Sequence, residues 1–143
     1  MSESKTAPAA KSDGVSSSPS PLGSHALVAF AATTDPARAK AFYRDTLGLR
    51  LVSEDGFAMV FDVHGTTLRV SRVREVAVAE YTVLGFEVAD IVAVAKALAA
   101  AGVALMRVPG LPQDELGIWN TPDGTKVAWF KDPDGNTLSI SRH

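Results

Sequence analysis

The sequence predicts an α+β fold in which two βαβββ modules form one domain of curved sheets around a cleft, with helices on the outer faces. Three observations carry that expectation. The order strand, helix, strands occurs twice along the chain. In each copy a valine, Val28 or Val83, stands seven residues ahead of an aspartate placed to cap a helix, Asp35 or Asp90. Finally, the stretch "FDVHGTTLRVS" at 61–71 returns as "KDPDGNTLSIS" at 131–141. Aligning Gly65 with Gly135 pairs Asp62 with Asp132, Thr67 with Thr137, Leu68 with Leu138, Arg69 with Ser139 and Val70 with Ile140.

The elements follow in order. "ALVAFAA" at 26–32 is a short apolar run suited to a buried strand. Asp35 followed by Pro36 starts a helix, with a capping carboxylate and then proline at the first helical position. That helix extends to Leu47 and stops at Gly48. Ala39, Phe42, Tyr43 and Leu47 fall near helical spacing and should face a sheet. Three strands are expected next, at 49–53, 57–62 and 66–73. The second copy begins with "YTVLGFEVAD", whose Asp90 caps the helix "IVAVAKALAAAG". Strand-like runs "VALMRV", "LGIWNT", "TKVAWFKD" and "NTLSIS" come after it, with turns at "PDG" and "DPDG" where glycine tolerates positive φ. Module 1 therefore spans 25–75 and module 2 spans 79–143 of a single domain at 25–143. The first 24 residues are rich in Ser, Ala and Pro and read as a disordered tail; a cloning scar at Gly23, Ser24 and the following His25 is an alternative origin for its end.

Composition narrows the chemistry. The 143 residues are 46% apolar and 21% charged, the balance of a soluble globular domain. A net charge of −2 gives no reason to expect nucleic acid or an acidic membrane surface as partner. No apolar run approaches the roughly 20 residues needed to cross a bilayer. The chain has no cysteine, which excludes disulfides, thiol nucleophiles and cysteine-based zinc sites. Its absence fits a reducing cytosol, so a cytoplasmic location is expected.

Strand alternation decides which residues look away from the helices. Leu84, Phe86 and Val88 form the better helix-facing set, leaving Tyr81, Val83, Gly85 and Glu87 opposite. Val28 and Phe30 take that face in the first strand, Arg69 and Ser71 in the fourth, and Ser139 in the last. Tracing the hairpins back from their turns puts Trp129 near Ser139 and Trp119 near Val127, and the same logic adds Met59 and Phe57. The candidate ligand-binding residues are therefore Val28, Phe30, Met59, Arg69, Tyr81, Val83, Glu87, Trp119, Trp129 and Ser139. Aromatic and aliphatic walls with a few polar groups are the usual make-up of a small-molecule site. They are equally the make-up of a core between two sheets, although charges such as Arg69 and Glu87 are seldom buried unless paired, with each other for instance.

The stretches "FYRDTLGLRLV" and "VAWFKDPDGNTLSIS" resemble the vicinal oxygen chelate superfamily, which includes glyoxalase I, bleomycin-resistance proteins and extradiol dioxygenases. The resemblance covers about 26–141. It implies paired βαβββ modules around an open cleft and a homodimer. It also implies where a metal would be held: on the first and last strand of each module, places filled here by Val28, Arg69, Val83 and Ser139. Two valines have no donor atom, a guanidinium repels a cation, and serine is a poor neutral ligand. The neighbours one residue away are no better. His25, His64, Glu87 and Asp62 are other donors, but they form no cluster with metal spacing. The superfamily's usual metal site is expected to be absent, and no other cofactor is implied.

No P-loop, dinucleotide fingerprint or nucleophile elbow occurs. Glu87, with Tyr81 and Arg69, is the candidate for metal-free acid–base catalysis, since a carboxylate inside an apolar cleft has a raised pKa. The loop "GLPQDELG" offers Gln113, Asp114 and Glu115 at the cleft mouth, more as solvated residues than as ligand contacts. The leading expectation is a metal-free protein that binds a small aromatic or amphipathic molecule, with sequestration of the bleomycin-resistance kind as one version. The alternatives are a lyase, isomerase or dioxygenase of the glyoxalase type and a dimer module without a ligand.

Overall fold

The computed structural model describes residues 21–143. Most of the expected tail, up to residue 20, lies outside the described residues. Two four-stranded sheets are present, each with a helix on one face. The first holds β1 (Val28–Thr33), β2 (Arg50–Glu54), β3 (Ala58–Val63) and β4 (Thr66–Arg72) in the order β1-β4-β3-β2. The second holds β5 (Thr82–Glu87), β6 (Trp119–Asn120), β7 (Lys126–Lys131) and β8 (Thr137–Arg142) in the order β5-β8-β7-β6. In each sheet the first strand runs parallel to the last, and the remaining pairs are antiparallel. The repeat read from the sequence is thus a repeat of topology.

Both helices start as their caps require. α1 (Pro36–Lys40) opens with the Asp35 carboxylate accepting from the Arg38 amide at 3.2 Å, and α2 (Ile91–Ala100) with Asp90 accepting from Ala93 at 3.0 Å. The expected single helix to Leu47 is instead α1 followed by a wider π-helical turn at Ala41–Thr46, closed by Leu47 N–H to Phe42 C=O at 2.9 Å. Ala39, Phe42, Tyr43 and Leu47 still face the core, and Gly48 and Gly102 take the positive φ that ends each helix.

Module 2 departs from the expectation in its outer strand. "VALMRV" forms a single bridge, Leu105 to Phe130, and only Trp119–Asn120 pairs further along β7. The loop between them splits what is one continuous strand in module 1. Gln113 folds inward and pins this loop, donating to Met106 C=O at 2.9 Å and Gly117 C=O at 2.8 Å while accepting from Val108 N–H at 2.7 Å. Asp114 accepts from Leu116 and Ile118, and Arg107 reaches the carbonyls of Asp114 and Glu115. Of the three loop residues, Gln113 and Asp114 hold the loop's own shape.

A single hydrophobic core spans both modules, with Tyr43, Met59, Phe61 and Val70 from one and Ile91, Phe130, Leu138 and Ile140 from the other. The modules are also joined by a polar clip. Asp132, in the turn between β7 and β8, accepts from Tyr43 Oη at 2.6 Å. It also accepts from the Asn136 amide nitrogen and side chain at 2.8 Å each and from Asp134 N–H at 2.9 Å. Asn136 donates to Ala32 C=O at 3.0 Å. Asp134 receives Thr33 Oγ1 at 2.5 Å and the Thr34 amide and hydroxyl at 2.9 and 2.8 Å. The turn of module 2 thereby grips the β1–α1 junction of module 1. Burial, followed by the Asp132 hydrogen bond, pushes the Tyr43 phenol far up, so it remains a donor.

Candidate functional site

The faces turned away from the helices follow from register. On the first sheet Phe30 pairs with Arg69, and Arg69 with Val60, which pairs in turn with Ser53. The next row holds Val28, Thr67, Asp62 and Arg50, with Arg50 bonded to Asp62 at 3.0 Å. On the second sheet Gly85, Ser139 and Trp129 form one row, and Glu87, Ser141, Val127 and Trp119 form another. Trp119 and Trp129 are diagonal neighbours, and their rings stack with centroids 6.2 Å apart and planes at 27°. The expected placements of Val28, Phe30, Arg69, Glu87, Trp119, Trp129 and Ser139 on these faces agree with the structure.

Met59 does not. It pairs with Val70 on the helix side and is 2% exposed, so it is a core residue and cannot line the open face. The cause is the turn length. Module 1 uses a two-residue turn, His64 and Gly65, between paired Val63 and Thr66, with positive φ at both turn residues. Module 2 places five residues between paired Lys131 and Thr137. Transferring the trace from one copy to the other therefore slips β3 by one residue and reverses its faces. Val60 holds the place that mirrors Trp129. Phe57, expected beside Met59, precedes β3 and is exposed.

Tyr81 and Val83 are displaced for a related reason. β5 carries a bulge between Thr82 and Leu84, so Val83 is the extra residue and Thr82 registers with Thr137. Tyr81 lies ahead of β5, 72% exposed. Val83 instead borders a groove of about 500 Å³ between β1 and β5, together with Leu27, Ala29, Leu68, Gly85 and Glu87. Thr82 and Val60 are the open-face residues the sequence reading missed. The unequal turns were the only sequence signal for Val60, and nothing in the pattern marked the bulge.

Glu87 is exposed and meets His143, Nδ1 to Oε1 at 3.3 Å, not Arg69. The apolar burial on which a general-base role rests is missing there. His64 is exposed in its turn. At Gly85 the sheet lacks a side chain, and a Cβ there would stand 2.9 Å from Ser139 Oγ, so the serine hydroxyl would have to turn aside. The repeat-related central positions are thus Phe30, Arg69, Gly85 and Ser139. A phenyl ring, a guanidinium, a bare backbone and a hydroxyl do not fit a divalent ion. Among the described residues no three His, Cys, Asp or Glu side chains gather closely enough to share one.

A family model for the glyoxalase/bleomycin resistance protein/dioxygenase superfamily matches residues 24–140. The chain belongs to that superfamily. Among solved structures it is similar to lactoylglutathione lyase from Agrobacterium tumefaciens, at 18% identity and a TM-score of 0.67, covering 86% of this chain and 96% of that one. A superfamily member from Sphaerobacter thermophilus gives 20% identity and a TM-score of 0.65 over 84% and 98%. The glyoxalase/bleomycin resistance protein/dioxygenase from Alicyclobacillus acidocaldarius gives 17% and 0.62 over 83% and 91%. At these identities the likeness is one of fold. No curated protein matches the sequence significantly. Within the superfamily's glyoxalase-like fold, the open faces of this chain carry an aromatic pair, a guanidinium and few acids. No described helix is long and apolar enough to cross a membrane.

Proposed function

We propose that this superfamily member binds a small aromatic or amphipathic molecule without a metal, and sequesters it instead of turning it over. The Trp119–Trp129 stack carries the reading: two half-buried indoles side by side on an open sheet face. Stacked aromatic surface binds planar ligands, and the central positions beside it supply no metal donors. Bleomycin-resistance-like sequestration is one form of this function. Glyoxalase- or dioxygenase-type turnover finds no support in the residues at the centre of the faces.

The test is a titration of planar aromatic compounds followed by tryptophan fluorescence, with and without a chelator. Binding that shifts the emission, survives chelation and weakens at least about tenfold in Trp129→Ala is expected, the loss of one well-packed aromatic contact. A stoichiometric transition metal in protein purified without chelator would overturn the proposal, as would no response across the panel.

A second copy of this chain is the partner we propose. In a single chain Phe30 is 59% exposed and Val28 is 41% exposed on the open face, and Leu27 and Tyr81, just ahead of β1 and β5, have most of their surface in solvent. Apolar surface of that extent is favourable to cover. Sedimentation velocity at micromolar concentration should give twice the chain mass; a monomer throughout would refute the pairing.

A further inference from the structure

We propose that Arg69 anchors an anionic group of the ligand, most naturally a carboxylate, so that the bound molecule is an aromatic or aliphatic acid. This rests on the small-molecule reading above and names the class of ligand. The cation in the next row of the same face, Arg50, is engaged with Asp62 at 3.0 Å. Among the described residues Arg69 has no ion pair. Neither of the two acids in its part of the sheet bonds to it, although Arg69 is near enough for its charge to help stabilise the Asp55 carboxylate. Asp62 is held by Arg50, and Asp55 Oδ1 accepts from the amides of Phe57 at 2.7 Å and Ala58 at 3.0 Å.

Arg69 is half-buried at the centre of its face, with Phe30 across one strand boundary and Val60 across the other. A guanidinium in such a row keeps its stem packed and its N–H donors outward. Apolar flanks lower the local dielectric, so a charge-assisted bond there is stronger than in water. The planar fork matches a carboxylate through two parallel N–H···O bonds, and the Phe30 ring gives the body of the acid a surface to lie on. The same position that bars a metal cation therefore selects a negative ligand.

Calorimetric titration with 2-naphthoate and its neutral isostere 2-naphthamide tests this, in the wild-type chain and in Arg69→Met and Arg69→Lys. Naphthoate should bind about tenfold tighter than naphthamide, the scale of a charge-assisted hydrogen bond. Arg69→Met should erase that preference, and an unchanged midpoint of urea unfolding reports that the variant is folded. Arg69→Lys should keep only part of it, since the charge remains and the fork is lost. Equal affinities in the wild-type chain, or a preference that survives Arg69→Met, would overturn the anchor and leave the small-molecule reading standing. Binding of neither compound would overturn both.

Discussion

Replacing Asp132 with alanine is expected to destabilise the chain by about 3–5 kcal/mol, the loss seen when one partner of a buried charged network is removed. The carboxylate is 5% exposed and accepts from Tyr43, Asp134 and both nitrogens of Asn136. Without it, the Tyr43 hydroxyl is left as a buried donor in the middle of the core. A domain of this size has a total stability of roughly 5–15 kcal/mol, so much of the folded population is at stake. Urea unfolding would measure the change, and a loss below about 1 kcal/mol would mean that the clip contributes little. The same clip should set the acid limit. Partial burial pushes the Asp134 carboxyl up, but the bonds from Thr33 and Thr34 and the nearby Arg38 guanidinium outweigh it and hold it below the usual carboxylate range. Its stabilisation is therefore complete above the unfolded value of about 4 and is lost as pH falls through the lower folded value. Asp134→Asn should flatten that acid limb.

Phe130→Ala should cost a similar amount, about 3–5 kcal/mol, through lost burial and the cavity left behind. Phe130 is fully buried on β7, its ring centroid lies 6.4 Å from that of Phe42 in the other module, and it bridges to Leu105. It also lines an apolar groove of about 150 Å³ with Leu47, Leu49, Phe86 and Val88, so the substitution would enlarge an existing gap that the surroundings fill poorly. Phe57→Ala is the control: that ring is exposed, and its loss should stay within about 0.5 kcal/mol. Similar midpoints of denaturation for the two variants would show that the shared core is not what joins the modules.

The fold was legible because its signals are local. Asp35-Pro36 and Asp90 announce helix starts, and alternation in 66–72 and 137–142 assigns faces without knowledge of the partner strand. The candidate site was legible only as far as those phases hold. Arg69, Ser139 and Trp129 lie close to their turns and were placed well, whereas Met59 required the two turns to be equal in length and they are not. Tyr81 failed because a bulge inserts a residue without any change in hydrophobic pattern. The exposure of Glu87 and its contact with His143 depend on how the chain end lies, which no periodicity records.

The clip works in one direction only. The module 2 turn is long enough to carry Asp132, Asp134 and Asn136 across to its neighbour, whereas the two-residue turn of module 1 has no room for an equivalent reach. Two copies that share one blueprint have thus become lock and key, and neither half can stand in for the other. Joining two first halves, or two second halves, in tandem would reproduce the topology while omitting either the tooth or its socket.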